Sequence, residues 1–143
     1  MSDTATLLPE RARDALASAQ ILRARIEERW QEELHVIALD VRHQVLGCRM
    51  ISRGTADRCT AAPRDIFRFL FLAGPTCRFV IGHNHPSGDC SPSDADRDIT
   101  RTLAQASRLM GIELVDHVIV SSAEHNPGAF RSLREDRPDL FGA

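Results

Sequence analysis

The apolar positions of this chain change period along its length, and each change marks an element. Over residues 9–30, Ala12, Ala15, Ala19, Leu22, Ile26 and Trp30 recur at spacings of three and four with Arg and Glu between them, which predicts a helix entered at Pro9. The period then shortens. "EELHVIALD", from Glu32 to Asp40, predicts a strand, "RHQ" a turn, and "VLGCRMIS" a second strand that closes a hairpin and ends at Arg53-Gly54-Thr55. "PRDIFRFLFLAG" predicts a helix started by Pro63 and stopped by Gly74. "CRFVIG" is a short buried strand. From Ser93 to Met110, Ile99, Leu103, Ala106 and Met110 mark a helix face, closed by Gly111. "IELVDHVIVSS" predicts a further strand, and the tail from Ala123 reads as loop with one helical turn. Strands alternating with helices predict a layered α/β (α+β) domain. The hairpin argues against a purely parallel sheet, so the expected architecture is a mixed β-sheet flanked by helices. No internal repeat and no linker divides the chain.

Composition narrows the function classes. A chain of 143 residues suits one core, and 43% apolar with 27% charged residues is ordinary for a globular protein. The net charge of −2 lacks the basic footprint of a nucleic-acid binder. All 18 basic residues are arginine, which excludes catalysis by a Schiff-base lysine within this chain. Cys48, Cys59, Cys77 and Cys90 form no CxxC pair, and "MSDTATLLPE" has neither the basic nor the apolar region of a signal peptide. The apolar cluster around "IFRFLFLAG" is too short to span a bilayer. These features predict a cytoplasmic protein with no membrane partner, whose reduced cysteines act as small buried or half-buried hydrophobes.

One segment departs from ordinary surface: "GHNHPSGDCSPSDAD", Gly82 to Asp96. His83 and His85 stand at i and i+2, where alternate side chains of an extended strand share a face and two imidazoles can reach one ion. With Ser93 as N-cap of the next helix, Asp96 falls at N3 in the first turn, and a helix start packed beside a strand end can bring that carboxylate to the same ion. Two nitrogens and one oxygen make the ligand set of a catalytic zinc site with its fourth position open to water. Such chemistry also needs a general base from elsewhere in the fold. Glu32 begins an otherwise apolar strand and is the candidate, while its neighbour Glu33 points the other way.

A metal-free reading explains some of the same residues. Ser93 and Asp96 form a capping box, and Asp94 and Asp96 suit the positive end of the helix dipole. The histidine pair framed by Gly82 and Pro86-Ser87-Gly88 favours metal binding, with the cap holding the ligand in place. His43 in a turn and His125 in the tail are expected to be solvated. His35 shares its strand face with Glu33. Asp116-His117 lies within a strand, where a hydrogen-bonded core histidine is expected, with support of the metal site as its alternative role.

"HNHPSGDCSPSDAD", an H-x-H followed after seven residues by S-x-x-D, resembles the metal-binding motif of the JAB/MPN/Mov34 metalloenzymes, and more closely that of the RadC-like bacterial branch. "EELHVIALD", "RGT", "PRDIF", the helix after Ser93 and "VDHVIV" follow in the same order, so the resemblance runs from about Glu32 to Arg134. It implies a cytidine-deaminase-like JAB/MPN architecture over residues 32–143, preceded by an N-terminal helical extension over residues 1–31. It implies Zn2+ held by His83, His85 and Asp96, Glu32 as general acid/base, and Ser93 as a donor to the tetrahedral oxyanion. In the wider family the reaction is peptide or isopeptide hydrolysis, so the expected partner is a peptide or an isopeptide-linked protein. RadC-like proteins usually carry an N-terminal helix-hairpin-helix region, and residues 1–31 here read instead as a single arginine-rich helix, so the DNA-binding part of that branch's DNA-repair label is not expected of this chain. Cys90-Ser91 replaces a more usual Pro-Thr, a local turn change that leaves the ligands alone. Two other readings compete: a non-catalytic MPN-type interaction module, which the intact ligand motif disfavours, and a nucleic-acid accessory, which the charge disfavours. The deaminase H-x-E with PCxxC and the zincin H-E-x-x-H are both absent. The exposed hairpin edge could pair two copies as a homodimer.

Overall fold

A computed structural model of the chain describes residues 11–54 and 62–142. Its elements in chain order are α1 (Ala15–Arg25), β1 (Glu32–Leu39), β2 (Val45–Gly54), α2 (Pro63–Leu72), β3 (Arg78–His85), α3 (Asp94–Met110), β4 (Glu113–Ser121), β5 (Phe130–Ser132), α4 (Leu133–Asp136) and a 3-10 turn over Pro138–Phe141. The strands form one mixed sheet in the order β2-β1-β3-β4-β5. β1 runs antiparallel to both β2 and β3, β3 and β4 are parallel, and β5 is antiparallel to β4. The expected α/β architecture of a mixed sheet with flanking helices is the one observed, and it is consistent with the JAB/MPN fold.

Strand alternation sorts side chains to the two faces. Leu34, Val36 and Ala38 of β1 join Phe79 and Ile81 of β3 in a core covered by α2, α3 and the C-terminal turns. Ile37, Leu39, Val80, Val118 and Val120 face the other way and are covered by Ala19, Ile21 and Leu22 of α1. Helix α1 approaches closely because Gly82 has no side chain: a Cβ there would stand 2.1 Å from Leu22 Cδ1.

Several expectations change. The helix predicted over residues 9–30 spans Ala15–Arg25, capped by the Asp14 side chain; Pro9 lies outside the described residues. Ala12 is buried ahead of the helix, Ile26 leaves it in an extended conformation, and Trp30 is 72% exposed. A tertiary interaction accounts for the early end: the backbone N–H groups of Glu27 and Glu28 donate to the buried carboxylate of Glu33. Next, the tail forms β5, α4 and the 3-10 turn, and buries Leu133, Leu140 and Phe141. Its strand has three residues, too few for a period to show. Lastly, α3 turns Asp96, Thr100, Leu103, Ala104 and Ser107 inward and leaves Met110 51% exposed. Asp96 and Thr100 occupy this inner stripe where it faces the histidines, and Ser107 satisfies its hydroxyl on the Ala104 carbonyl. Among the cysteines, Cys90 is buried and Cys48 half-buried, but Cys77 is exposed; Cys59 lies outside the described residues. His125 is exposed as expected, whereas His43 is half-buried, with φ of 63° in the hairpin turn. No helix among the described residues is long and apolar enough to cross a membrane.

Candidate metal centre

The end of β3 delivers His83 and His85 to the face that carries Phe79 and Ile81. Leu34 of β1 pairs with His83, which puts Glu32, two residues earlier on the same face, at the same end of the sheet. The start of α3 roofs this end. Ser93 is its N-cap: Ser93 Oγ accepts the Asp96 N–H at 3.0 Å, and Asp96 Oδ2 accepts the Ser93 N–H at 2.9 Å. That reciprocal capping box holds the Asp96 carboxylate over the histidines. Asp96 Oδ1 lies 3.1 Å from His83 Nε2, Asp96 Oδ2 lies 3.2 Å from His85 Nε2, and the two Nε2 atoms are 2.8 Å apart. Glu32 Oε1 is 3.8 Å from His83 Nε2 and 4.0 Å from His85 Nε2. Ligand atoms of Glu32, His83, His85 and Asp96 thus lie within 4.8 Å of one another, and Cys90 is not among them.

Hydrogen bonds behind the cluster determine where its protons sit. Thr100 Oγ1 is 2.6 Å from the Asp96 carbonyl, which can only accept, so the hydroxyl donates there. The same oxygen, 2.7 Å from His117 Nδ1, must then accept, so His117 carries its proton on Nδ1. His117 Nε2 is left as an acceptor and takes the proton on His83 Nδ1 at 2.8 Å. His83 Nε2 therefore presents a lone pair to the cluster. His85 Nδ1 lies 2.7 Å from the Asp89 carbonyl and must donate, which likewise leaves the Nε2 lone pair of neutral His85 facing inward. Two buried lone pairs 2.8 Å apart repel unless a cation stands between them. Ligands of one zinc ion lie about 3.3 Å apart, given zinc–nitrogen distances of roughly 2.0–2.1 Å. The donor set suits a metal cation, and the 3.1 and 3.2 Å between Asp96 and the imidazoles come close to that spacing, with the two nitrogens tighter at 2.8 Å.

Electrostatics agree with this assignment. Burial holds the His117 pKa well below its ordinary value, so it stays neutral in the relay. Burial also opposes charge on His85, but the Asp96 carboxylate, the Asp89 carbonyl and Glu32 outweigh it and raise its pKa. Burial would raise the Asp96 pKa, yet the two neighbouring imidazoles and the hydrogen bond from the Ser93 N–H keep it far below the ordinary carboxylate value. A carboxylate so firmly ionised, beside a His85 whose surroundings favour positive charge, suits a cation.

A groove of about 460 Å³ opens beside this cluster, lined among others by Trp30, Glu32, Gly54, His85, Pro86 and Ser93. The site residues proposed from sequence, Glu32, His83, His85, Ser93 and Asp96, all meet at this end of the sheet. Sequence reasoning passed over Thr100 and Asn84. Thr100 lies one helical turn after Asp96, and that spacing was its available signal. Glu33 faces away from Glu32 as expected, and there its buried carboxylate binds His35 Nε2 at 2.9 Å and the Arg53 guanidinium at 3.0 Å.

Comparison with known proteins follows the same lines. The family model described as RadC-like JAB domain matches residues 12–137. A UPF0758 protein of Thermosynechococcus vestitus is 44% identical over 124 residues, covering 87% of this chain and 47% of its own length. One from Acaryochloris marina is 38% identical over 122 residues, covering 85% of this chain and 48% of its own. One from Trichormus variabilis is 43% identical over 105 residues, covering 73% of this chain and 41% of its own. The chain spans about half the length of the curated relatives it matches.

Proposed function

This chain belongs to the RadC-like JAB domain family, and on that premise we propose that it is a zinc-dependent metallohydrolase cleaving an amide or isopeptide bond. The observation that carries this reading is the convergence of two imidazole lone pairs and an ionised carboxylate at one buried point beside an open groove. His83, His85 and Asp96 would hold the ion, and the nitrogen-rich ligand set favours zinc over a hard cation. Bound zinc supplies Lewis acidity and lowers the pKa of a water molecule to roughly 7.

The remaining chemistry belongs to the chain. The Glu32 carboxylate stands about one water molecule's reach from the histidine nitrogens, at 3.8 and 4.0 Å. It takes the proton of the attacking water and returns it to the leaving amine, which makes it general base and then general acid. Ser93 Oγ accepts the Asp96 N–H, which leaves its own O–H available, at the groove lining, as a donor for the oxyanion of the tetrahedral intermediate. The substrate enters along the groove, where Trp30 offers an exposed apolar surface next to Glu32. A peptide or an isopeptide-linked protein suits this open shape.

Elemental analysis of the purified chain tests the first half of the proposal. Wild type should hold close to one zinc per chain, and a His83→Ala, His85→Ala double variant should hold none. Absence of metal in reconstituted wild type would leave a capped helix beside two histidines and turn the reading to a non-catalytic interaction module. The second half rests on Glu32→Gln, which should retain zinc and lose at least about 100-fold in amide hydrolysis. Undiminished turnover in that variant would sink the acid/base role.

A further inference from the structure

Asn84 stands between the two metal-binding histidines of β3, but its side chain enters the opposite face of the sheet and is fully buried there. Its carboxamide reaches both peptide groups that flank the Cα of Glu32. Oδ1 accepts the N–H of Glu33 at 2.8 Å, and Nδ2 donates to the carbonyl of Gln31 at 2.8 Å. Nδ2 also donates to Ser122 Oγ at 2.9 Å, and that hydroxyl donates to the Arg29 carbonyl at 2.8 Å. The β1–β3 pairing runs from Leu34–His83 to Leu39–Arg78, so the amide takes over where the backbone ladder stops.

The geometry has a specific consequence. The peptide units on either side of one Cα define the φ and ψ of that residue. Clamping both of them sets the direction of the Cα–Cβ bond of Glu32, and with it the side from which its carboxylate approaches His83 and His85. The clamp needs an acceptor and a donor on one short side chain, and asparagine has both. We infer that Asn84 is a positioning residue for Glu32, tying the backbone of the acid/base to the strand that carries the histidine ligands. The inference rests on the metallohydrolase reading above and adds to it the residue that keeps the two halves of the site in register.

Cobalt(II) affinity, measured on the full chain by competition with a chromophoric chelator at neutral pH, tests it without a substrate. Glu32→Gln removes a carboxylate close to the ion and is expected to weaken binding on the order of tenfold. Asn84→Ala should weaken it by a comparable factor while keeping a cooperative melting transition. In the Glu32→Gln background, Asn84→Ala should add nothing, because its effect passes through Glu32. A merely structural role would instead weaken both backgrounds alike. Asn84→Asp keeps the acceptor for the Glu33 N–H but sets an acceptor against the Gln31 carbonyl, and it carries the same comparison should the alanine variant fail to fold. Affinity of the Asn84 variants within about twofold of wild type, or weakening that persists without Glu32, overturns the positioning role while the metal-site reading stands. Wild type that takes up no cobalt overturns both.

Discussion

Replacing Thr100 by valine removes one oxygen from a fully buried site and keeps nearly the same shape, so its effects trace to the hydrogen bonds of that oxygen. Two bonds vanish: the donation to the Asp96 carbonyl and the acceptance from His117 Nδ1. His117 then has a buried N–H with no acceptor, which costs about 1–3 kcal/mol. At about 4 °C per kcal/mol for a domain of this size, the melting temperature should fall by roughly 4–12 °C. The second effect distinguishes the relay from a plain core defect. Without the threonine oxygen, His117 can move its proton to Nε2, and His83 must then carry its own on the nitrogen that faces the ion. Zinc affinity should fall by roughly 10–100-fold, the range for removing a partner that orients a ligand. That equals about 1.4–2.8 kcal/mol. Chelator competition measures the affinity, and thermal unfolding of the metal-free proteins measures the stability. Thr100→Ser restores the hydroxyl and should recover zinc affinity while remaining less stable for want of a methyl group. A valine variant with zinc affinity within about twofold of wild type would refute the proton assignment, however far its melting temperature fell.

Glu33→Gln should destabilise the fold by about 2 kcal/mol at neutral pH, because a buried carboxylate then no longer accepts from Arg53, His35 and two backbone N–H groups. Burial would raise the Glu33 pKa, but these bonds bring it below the ordinary 4.5. Its contribution is therefore present above that value and lost as pH falls through the folded pKa, so urea melts of wild type and variant should converge in acid. Constant separation across that range would exclude Glu33 as the source. Gly82→Ala forces a Cβ against Leu22, which is itself fully buried, and should cost about 1–3 kcal/mol in denaturant melts. Leu22→Ala in the same chain should recover part of that cost, and strict additivity of the two changes would argue against the contact.

Much of this protein was legible along the chain. The short apolar-rich runs of β1, β3 and β4 and the start of α3 at Ser93 depend on neighbours a few residues apart, so local spacing encodes them. The metal cluster was legible for a similar reason. His83 and His85 share a face by strand geometry, and Asp96 falls where a capping box must put it. Glu32 was found as a polar residue at the head of an apolar strand. Errors arose where a distant contact overrode a local preference. Helix α1 stops at Arg25, although the periodic pattern runs on to Trp30, because Glu33 takes the backbone donors of Glu27 and Glu28. The tail orders on β4 because its few apolar residues find a core that strands far upstream had built.

The proton state of the site belongs wholly to the tertiary structure. His117 meets His83 across 34 residues, Thr100 meets His117 across 17, and Asn84 meets Glu33 across 51. No spacing rule links such pairs, since sheet register and the seat of α3 on the sheet bring them within hydrogen-bond reach. The sequence by itself determined which ligand types the site would offer, because a side chain's chemistry travels with its residue. Only the folded structure decided which nitrogen of each histidine faces the candidate metal cluster and which groups meet the peptides on either side of Glu32, because a hydrogen bond exists only where a donor and an acceptor meet in space.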